Sequence, residues 1–147
     1  IGGMNPQIIV QGFRYFNVYG PNENHKGNQA SPIHKFTEQA KTGKIKLFEN
    51  SENYKRDFVC VSDICEVHEK MLDINEKGVY NIGTGNAISF QQVADLIANK
   101  YSADIEYIPM PDNLKGQYQE YTCANLDSLS TVVKHKFKSV EEYVNGC

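Results

Sequence analysis

The sequence has no long hydrophobic run and no concentration of charge of one sign. No apolar stretch approaches the roughly 20 residues that a membrane-spanning helix needs, and no signal peptide is visible. Fifteen Lys and Arg stand against 18 Asp and Glu, for a net charge of -3, and the basic residues are scattered. We therefore expect a soluble protein that binds neither nucleic acid nor membrane, although a few well-placed cations can still bind an anionic small molecule.

The cysteines form no metal-binding pattern. The chain has four of them, with no Cys-x-x-Cys pair and no histidine at zinc-finger spacing, so we expect no metal site. Cys60 lies in an apolar run and Cys65 in a helical pattern, which favours buried free thiols in a reducing compartment. The predicted location is the cytoplasm.

The chain also lacks the usual phosphate-binding glycine motifs. No Gly-x-x-Gly-x-x-Gly precedes a helix, and Gly83-Thr-Gly85 has the spacing of neither a Walker nor a Rossmann motif. We interpret this glycine segment as a turn between a strand and a helix.

Strand and helix patterns alternate along the 147 residues, which predicts an α/β fold of about one domain. Ser31-Pro32 offers a helix start, Ser89 and Gln92 a capping box, and Ser62 and Ser139 two further N-caps. The predicted strands are 8–19, 45–48, 56–61, 78–85 and 105–111, and the predicted helices begin after Ser31, Ser62, Ser89 and near 125, with a last one after Ser139.

The first predicted strand ends in Asn17-Val-Tyr-Gly-Pro21 and is followed by Lys26. Apolar and aromatic residues along 8–19 indicate a strand buried on both faces, as in the middle of a parallel sheet. Ligands of open α/β sheets bind at the carboxyl ends of such strands. We therefore expect Asn17 and Lys26 at the rim of a cleft.

This strand pattern begins only seven residues into the chain, which starts with Ile1. A parallel strand needs crossover partners that so few residues cannot supply. We therefore expect the chain to be part of a longer protein. Unpaired edges and apolar faces would then favour self-association.

Three segments resemble the extended short-chain dehydrogenases/reductases that act on nucleotide sugars. They are Arg14-Tyr-Phe-Asn-Val-Tyr-Gly-Pro21, Arg56-Asp-Phe-Val59 and Tyr80-Asn-Ile-Gly-Thr-Gly85. Four further segments resemble the ADP-heptose 6-epimerases within that family. They are His25-Lys-Gly27, Lys46-Leu-Phe-Glu49, Ser51-Glu-Asn-Tyr-Lys-Arg-Asp-Phe58 and Leu114-Lys-Gly-Gln-Tyr-Gln119.

The resemblance implies an NADP-dependent epimerase that inverts C6 of ADP-heptose by transient oxidation and re-reduction, for lipopolysaccharide inner-core synthesis. The family pairs a lysine matching Lys26 with the tyrosine of a Tyr-x-x-x-Lys motif as the two acid/base groups. No tyrosine of this chain has a lysine four residues later. We expect the chain alone to be inactive.

The implied fold is the C-terminal part of a Rossmann-type extended short-chain dehydrogenase/reductase. Residues 1–27 would supply a late strand and the active-site loop of the nucleotide-binding domain. Residues 28–147 would form mainly a small α/β substrate-binding domain, with 56–85 returning to the Rossmann sheet. The family also implies a homo-oligomer.

The resemblance assigns roles to individual residues. Lys26 is the predicted catalytic residue, favoured because a lysine desolvated beside a cofactor gives up its proton more readily. Val18 and Lys26 are the predicted cofactor contacts, and Arg56 the predicted diphosphate ligand, since a guanidinium fork suits paired phosphate oxygens. The predicted substrate contacts are Asn17, Asn28, Lys35, Phe48, Glu49, Asn50, Ser51, Arg56 and Tyr118.

Several alternatives stay open. Lys26 can be a solvated loop lysine, Arg56 a surface ion-pair partner of Asp57 or Glu52, and Phe48 a core residue. Asn28 replaces a common serine, and Lys35 stands where the family usually has histidine, so His34 is its possible substitute. For the whole protein, the alternatives are another nucleotide-sugar epimerase or dehydratase, or a non-catalytic binding module.

Overall fold

Parallel strand pairs and intervening helices make up the computed structural model, which describes residues 8–146. Strand β1 pairs with β6, β2 with β5 and β3 with β8, all in parallel, while β4 and β7 are antiparallel. In chain order, the strands are β1 (Gln11–Tyr15), β2 (Asn17–Tyr19), β3 (Lys44–Phe48), β4 (Lys55–Arg56), β5 (Phe58–Cys60), β6 (Gly78–Ile82), β7 (Ile88–Ser89) and β8 (Asp104–Ile108).

Helices connect these strands, which confirms the predicted α/β class. Across residues 8–146, no helix is both long and apolar enough to cross a membrane. Residues 1–7 and Cys147, which the predicted domains include, lie outside the described residues. The helices are α1 (Pro32–Lys41), α2 (Val61–Met71), α3 (Phe90–Tyr101), α4 (Asp112–Lys115), α5 (Asp127–Ser130) and α6 (Val140–Gly146), with 3-10 turns at Asn24–Gln29 and Ser51–Asn53.

Local capping signals fix where three of these helices begin. The Ser31 hydroxyl accepts a hydrogen bond from the His34 amide, and proline occupies the first position of α1. Ser89 and Gln92 form the predicted capping box of α3. The Ser139 hydroxyl accepts from the Glu142 amide at the start of α6. The three predicted helix starts are therefore confirmed. They could be predicted because each cap depends on residues only three positions apart.

The start of α2 differs from its prediction. The helix begins at Val61 with Cys60 at its N-cap position, so the predicted N-cap at Ser62 is wrong. The Ser62 hydroxyl instead lies 3.2 Å from the Cys60 sulfur. Cys60 is buried as predicted, whereas Cys65 is exposed because it faces away from the packed side of α2.

The predicted strand 8–19 is two short strands that part at Phe16 and have different partners. Phe13 packs toward α2, with its ring 4.4 Å from that of His68. Ile8, Ile9 and Val10 are 39–44% exposed, so the residues that the structure describes do not by themselves bury both faces of this segment. Among the described residues, each of β1 and β2 has one neighbouring strand rather than two.

Strand β5 separates two hydrophobic cores. Its buried residues alternate between them, as the pleat of a strand requires: Phe58 and Cys60 face the first core and Val59 the second. The first core lies between α1, α3, α6 and β3, and includes Tyr19, Ile33, Ile45, Leu47, Phe90, Val93 and Ile97. The second lies between α2, β6 and α5, and includes Ile64, Val67, Met71, Tyr80, Ile82 and Leu129.

Asp57, between β4 and β5, is fully buried and binds two distant segments. Its Oδ1 accepts hydrogen bonds from the amide and hydroxyl of Thr84, at 2.8 and 2.7 Å. Its Oδ2 accepts from the amides of Gly85 and Ala124, at 2.9 and 3.1 Å. Gly83 has to be glycine, because a Cβ there would lie 2.7 Å from Oδ2.

We expect Asp57→Asn to lower the free energy of unfolding by about 3 kcal/mol, because an amide group would face donors that now bind carboxylate oxygens. Urea unfolding of the chain measures the loss. Asp73→Asn is the matched control, since Asp73 is exposed and makes no hydrogen bond with the described residues. Equal stabilities of the two variants would contradict this role for Asp57.

Candidate functional site

A cavity of about 340 Å³ lies between α1, β3 and α3. Four of the predicted substrate contacts line it, namely Lys35, Phe48, Ser51 and Tyr118. Further aromatic rings complete its wall, and the Lys46 side chain lies at the same cavity. An apolar pocket with a few polar groups is typical of small-molecule sites. The added aromatic residues are Phe36, Tyr54 and Phe90.

The Arg56 guanidinium packs against this aromatic wall. Its central carbon lies 5.3 Å from the Phe90 ring centroid and 5.2 Å from that of Tyr118. One nitrogen donates to the Lys55 carbonyl at 2.9 Å. Desolvation lowers the pKa of Arg56, against a smaller opposing effect of Tyr118, while burial raises the pKa of Tyr118. Arginine stays charged despite such a shift.

The guanidinium has no acidic partner within 4.0 Å among residues 8–146, so the alternative ion pairs with Asp57 and Glu52 are not formed there. The Asp57 carboxylate instead faces the 83–85 turn and Ala124. A partly desolvated cation without a carboxylate is chemically suited to an anionic ligand.

The turn after β3 carries the predicted nucleoside contacts. Asn50 has a left-handed φ of 64°, and the buried Ser51 donates its hydroxyl to the Phe48 carbonyl. Glu49 and Asn50 are exposed, and the Glu49 amide donates to the Ile108 carbonyl at 2.9 Å. Phe48 and Ser51 therefore line the cavity, while Glu49 and Asn50 lie on the outer part of the turn.

Lys35 and His34 lie on different sides of α1. Lys35 lines the aromatic cavity, and its ammonium donates to the Asn28 carbonyl at 2.7 Å. His34 lines a separate cavity of about 220 Å³, beside Lys41 and Tyr101. This geometry brings Lys35, rather than His34, together with the other predicted substrate contacts.

Lys26 forms an ion pair with the buried Glu23, at 3.4 Å. The Lys26 side chain is 38% exposed, so the desolvation on which its predicted reactivity depends is not present in this arrangement. Burial by itself would raise the pKa of Glu23, but hydrogen bonds from Ser31 and Gly20, together with the Lys26 ammonium, hold that pKa below its usual value. Glu23 is therefore ionised at neutral pH.

The other predicted contacts near the chain start are Asn17 and Val18. Asn17 is the first residue of β2, not its last, and its amide donates to the Asp57 carbonyl at 3.0 Å. Val18 is half-buried and packs against the second core. Among residues 8–146, no hydrogen bond or ion pair joins Asn17 or Val18 to Lys26, so the structure does not bring these three together directly.

The glycine segment 83–85 is a turn, as interpreted from the sequence. The amides of Thr84 and Gly85 donate to Asp57, so an internal carboxylate occupies the place that a phosphate would take in a phosphate-binding loop. A larger cavity, of about 490 Å³, borders this turn and α3. It contains none of the predicted site residues.

Asp63, Glu66 and His135 lie within metal-ligand spacing of one another. Both ring nitrogens of His135 are already used, however: Nε2 lies 2.9 Å from Asp63 Oδ1, and Nδ1 lies 2.9 Å from the Lys70 ammonium. The ammonium can only donate, so Nδ1 accepts and Nε2 carries the proton. A metal would need an unprotonated Nε2, and the cluster is better described as a hydrogen-bond network between α2 and residues 134–138.

The sequence patterns did not identify Glu23, nor the additional aromatic residues of the cavity wall, Phe36, Tyr54 and Phe90. Glu23 stands three residues before Lys26, a spacing at which opposite charges meet on a helical turn, and this was the available signal. Tyr54 and Phe90 carried no such signal, because an aromatic residue of the core and one at a ligand site cannot be told apart in the sequence. Their shared position depends on contacts between distant segments.

The profile of the NAD dependent epimerase/dehydratase family matches residues 4–83. Among solved structures, ADP-L-glycero-D-manno-heptose-6-epimerase of Helicobacter pylori is 25% identical, with a TM-score of 0.82 over 98% of this chain and 45% of that one. UDP-glucose 4-epimerase of Thermotoga maritima, solved with UDP-glucose, is 28% identical, with a TM-score of 0.77 over 91% of this chain and 43% of that one.

A third similar structure, dTDP-glucose 4,6-dehydratase of Bacillus anthracis in complex with NAD, shares the fold at 23% identity, with a TM-score of 0.71 over 92% of this chain and 43% of that one. This chain thus spans less than half the length of each of these proteins. The family match covers more than half of the chain itself. The chain belongs to the NAD-dependent epimerase/dehydratase family.

Proposed function

We propose that this chain is the substrate-binding part of an NADP-dependent epimerase that inverts C6 of ADP-D-glycero-D-manno-heptose by transient oxidation and re-reduction. The product would serve lipopolysaccharide inner-core synthesis. The observation that carries the proposal is the cavity of about 340 Å³ with Arg56 next to it. Arg56 does not itself line the cavity, but its guanidinium packs on two rings of the cavity wall, Phe90 and Tyr118, without an acidic partner among the described residues.

This combination suits a nucleoside diphosphate. The base is flat and apolar enough to stack on Phe48, and the diphosphate supplies oxygens for the Arg56 fork. Lys35 and Tyr118, at the same cavity, offer further donors to phosphate or ribose oxygens. Glu49, Asn50 and Ser51 are proposed to contact the ribose and base from the turn that follows β3.

The sugar would extend from the diphosphate toward the loop that carries Lys26. We assign Asn17 and Asn28 to sugar hydroxyls, because side-chain amides both donate and accept hydrogen bonds. Lys26 Nζ would give or take a proton at the oxygen on C6. The ADP-heptose assignment is supported by the segments His25-Lys-Gly27 and Leu114 to Gln119, and by the likeness to the Helicobacter pylori enzyme.

The described residues do not themselves form a dinucleotide site. The amides of the glycine turn bind Asp57, and Val18 packs in the second core. We therefore propose that other residues of the complete protein hold most of the NADP and supply the partner tyrosine. Val18 and Lys26 would border the cofactor, and the exposed face at Ile8, Ile9 and Val79 would be covered in that protein.

The predicted domain division remains part of this proposal. Residues 1–27 and 56–85 would belong to the nucleotide-binding domain, and most of 28–147 to the substrate-binding domain. The two cores follow this division only in part. Strands β1 and β6 border the second core and α1, β3 and α3 the first, whereas Tyr19 lies in the first core and Leu129 in the second. We also propose that the complete protein forms a homo-oligomer in the cytoplasm.

A second candidate is a UDP-sugar epimerase, which the likeness to the Thermotoga maritima enzyme favours. The same cavity and Arg56 would serve either nucleotide, since both carry a diphosphate. A non-catalytic module that only binds a nucleotide sugar is the remaining alternative. Direct comparison of ligands separates these possibilities.

Calorimetric titration of the chain with ADP-heptose and with UDP-glucose tests the binding site. We expect tighter binding of ADP-heptose, and an affinity about 10- to 100-fold weaker in Arg56→Ala, from the loss of charged hydrogen bonds to the diphosphate. Arg14→Ala is the matched control, because Arg14 lies on β1 and, unlike Arg56, does not pack on the aromatic rings of the cavity wall. Equal weakening by both substitutions would contradict the role of Arg56, and tighter binding of UDP-glucose would favour the second candidate.

Turnover is tested with the complete protein, NADP and ADP-heptose, by following the configuration at C6 by NMR. We expect Lys26→Met to lower kcat about 100-fold or more, as for loss of an acid/base group. Lys41→Met is the control, because Lys41 pairs with Glu38 on the exposed side of α1. Binding of the sugar without any turnover of either nucleotide sugar would support the binding module instead.

A further inference from the structure

The Glu23 carboxylate is a buried junction between three backbone segments. Its Oε2 accepts hydrogen bonds from the Gly20 amide at 3.3 Å and from the Ser31 hydroxyl at 2.8 Å. Its Oε1 accepts from the Ser31 amide at 2.9 Å and from the Lys26 ammonium at 3.4 Å. Glu23 is 2% exposed, so its position is fixed by these partners.

Ser31 connects this junction to α1. Its hydroxyl donates to Glu23 and, as the helix N-cap, accepts from the His34 amide at 3.2 Å. A carboxylate near the first amides of a helix is also favoured by the helix dipole. Hydrogen bonds to the Glu23 carboxylate therefore connect the end of β2, the loop that carries Lys26 and the start of α1.

Without the charge of Glu23, the backbone of this loop would not fix the position of the Lys26 side chain. The segment Asn24–Gln29 is a 3-10 turn interrupted at Gly27, which has a φ of 54°. The Lys26 amide donates to the Glu23 carbonyl at 3.0 Å, which fixes the backbone only. The long lysine side chain has several rotatable bonds, and Glu23 is its ion-pair partner among the described residues.

We propose that Glu23 is a positioning residue for Lys26, which holds the lysine nitrogen at the site where the proposed epimerase transfers a proton. The inference rests on the proposed function of Lys26. A carboxylate that stays ionised orients the ammonium by hydrogen bond and by charge, without touching the substrate.

The variant Glu23→Gln tests this in the complete protein. We expect kcat to fall about tenfold or more while KM for ADP-heptose changes less than about twofold, because the proton transfer is affected and the diphosphate contacts are not. Glu23→Asp, which keeps the negative charge, should restore part of the lost kcat. Glu38→Gln is the matched control, since Glu38 pairs with the exposed Lys41.

A second variant separates positioning from support of the helix. Ser31→Ala removes the cap of α1 and one hydrogen bond to Glu23 Oε2, but leaves the contacts of Oε1 with the Ser31 amide and with Lys26. We therefore expect lower stability with a smaller fall in kcat than in Glu23→Gln. If Ser31→Ala lowered kcat as far as Glu23→Gln does, or if Glu23→Gln changed only stability, the positioning role would be overturned.

A measurement on the chain itself keeps this test separate from the proposed function. In NMR relaxation measurements, we expect the Lys26 side chain to be more mobile in Glu23→Gln than in the wild type, and unchanged in Glu38→Gln. The same mobility of the Lys26 side chain in all three proteins would overturn the inference, whatever the activity. Absence of turnover in the wild type, with the mobility changed in Glu23→Gln, would overturn only the proposed function.

Discussion

The hydrogen bonds of the Asp57 carboxylate connect segments that are far apart in the sequence. A buried negative charge is stable only when donors replace the water it has lost, and here the donors come from the turn at 83–85 and from Ala124. Asp57 also stands between β4, which carries Arg56, and β5, which separates the two cores. The position of the proposed diphosphate ligand and the boundary between the cores therefore depend on the same side chain.

The carboxylates of Glu23 and Asp57 are buried, whereas the cations of the candidate site are exposed or only partly buried. Glu23 and Asp57 each bind backbone amides of a turn and fix where the chain changes direction. The cations differ in what they face: Lys26 faces Glu23, Lys35 faces a backbone carbonyl, and Arg56 faces two aromatic rings. Among the described residues, Lys35 and Arg56 both lack a carboxylate partner, and both lie at the aromatic cavity or against its wall, which makes this cavity the most suitable place for an anion.

Local features of the fold were predictable because the groups that decide them are close in sequence. Ser31 and Ser89 cap helices through amides three residues away, and the turn at Gly83-Thr-Gly85 follows from its position between a strand and a helix. The division of 8–19 into two strands was not predictable in this way. It depends on pairing with β6 for the first strand and with β5 for the second, and both partners lie more than 35 residues further along the chain.

The α/β class, the helix starts at Ser31 and Ser89, and the residues that the family resemblance marks all follow from the sequence. Which of these residues meet depends on the packing of distant segments: Lys35, Phe48, Ser51 and Tyr118 share a cavity, while Asn17 lies beside the backbone of Asp57. The structure also shows that Lys26 pairs with Glu23 and that Arg56 does not pair with Asp57. The physical reason is that capping and periodicity act over three or four residues, whereas burial, charge pairing and cavity shape depend on which distant segments pack together.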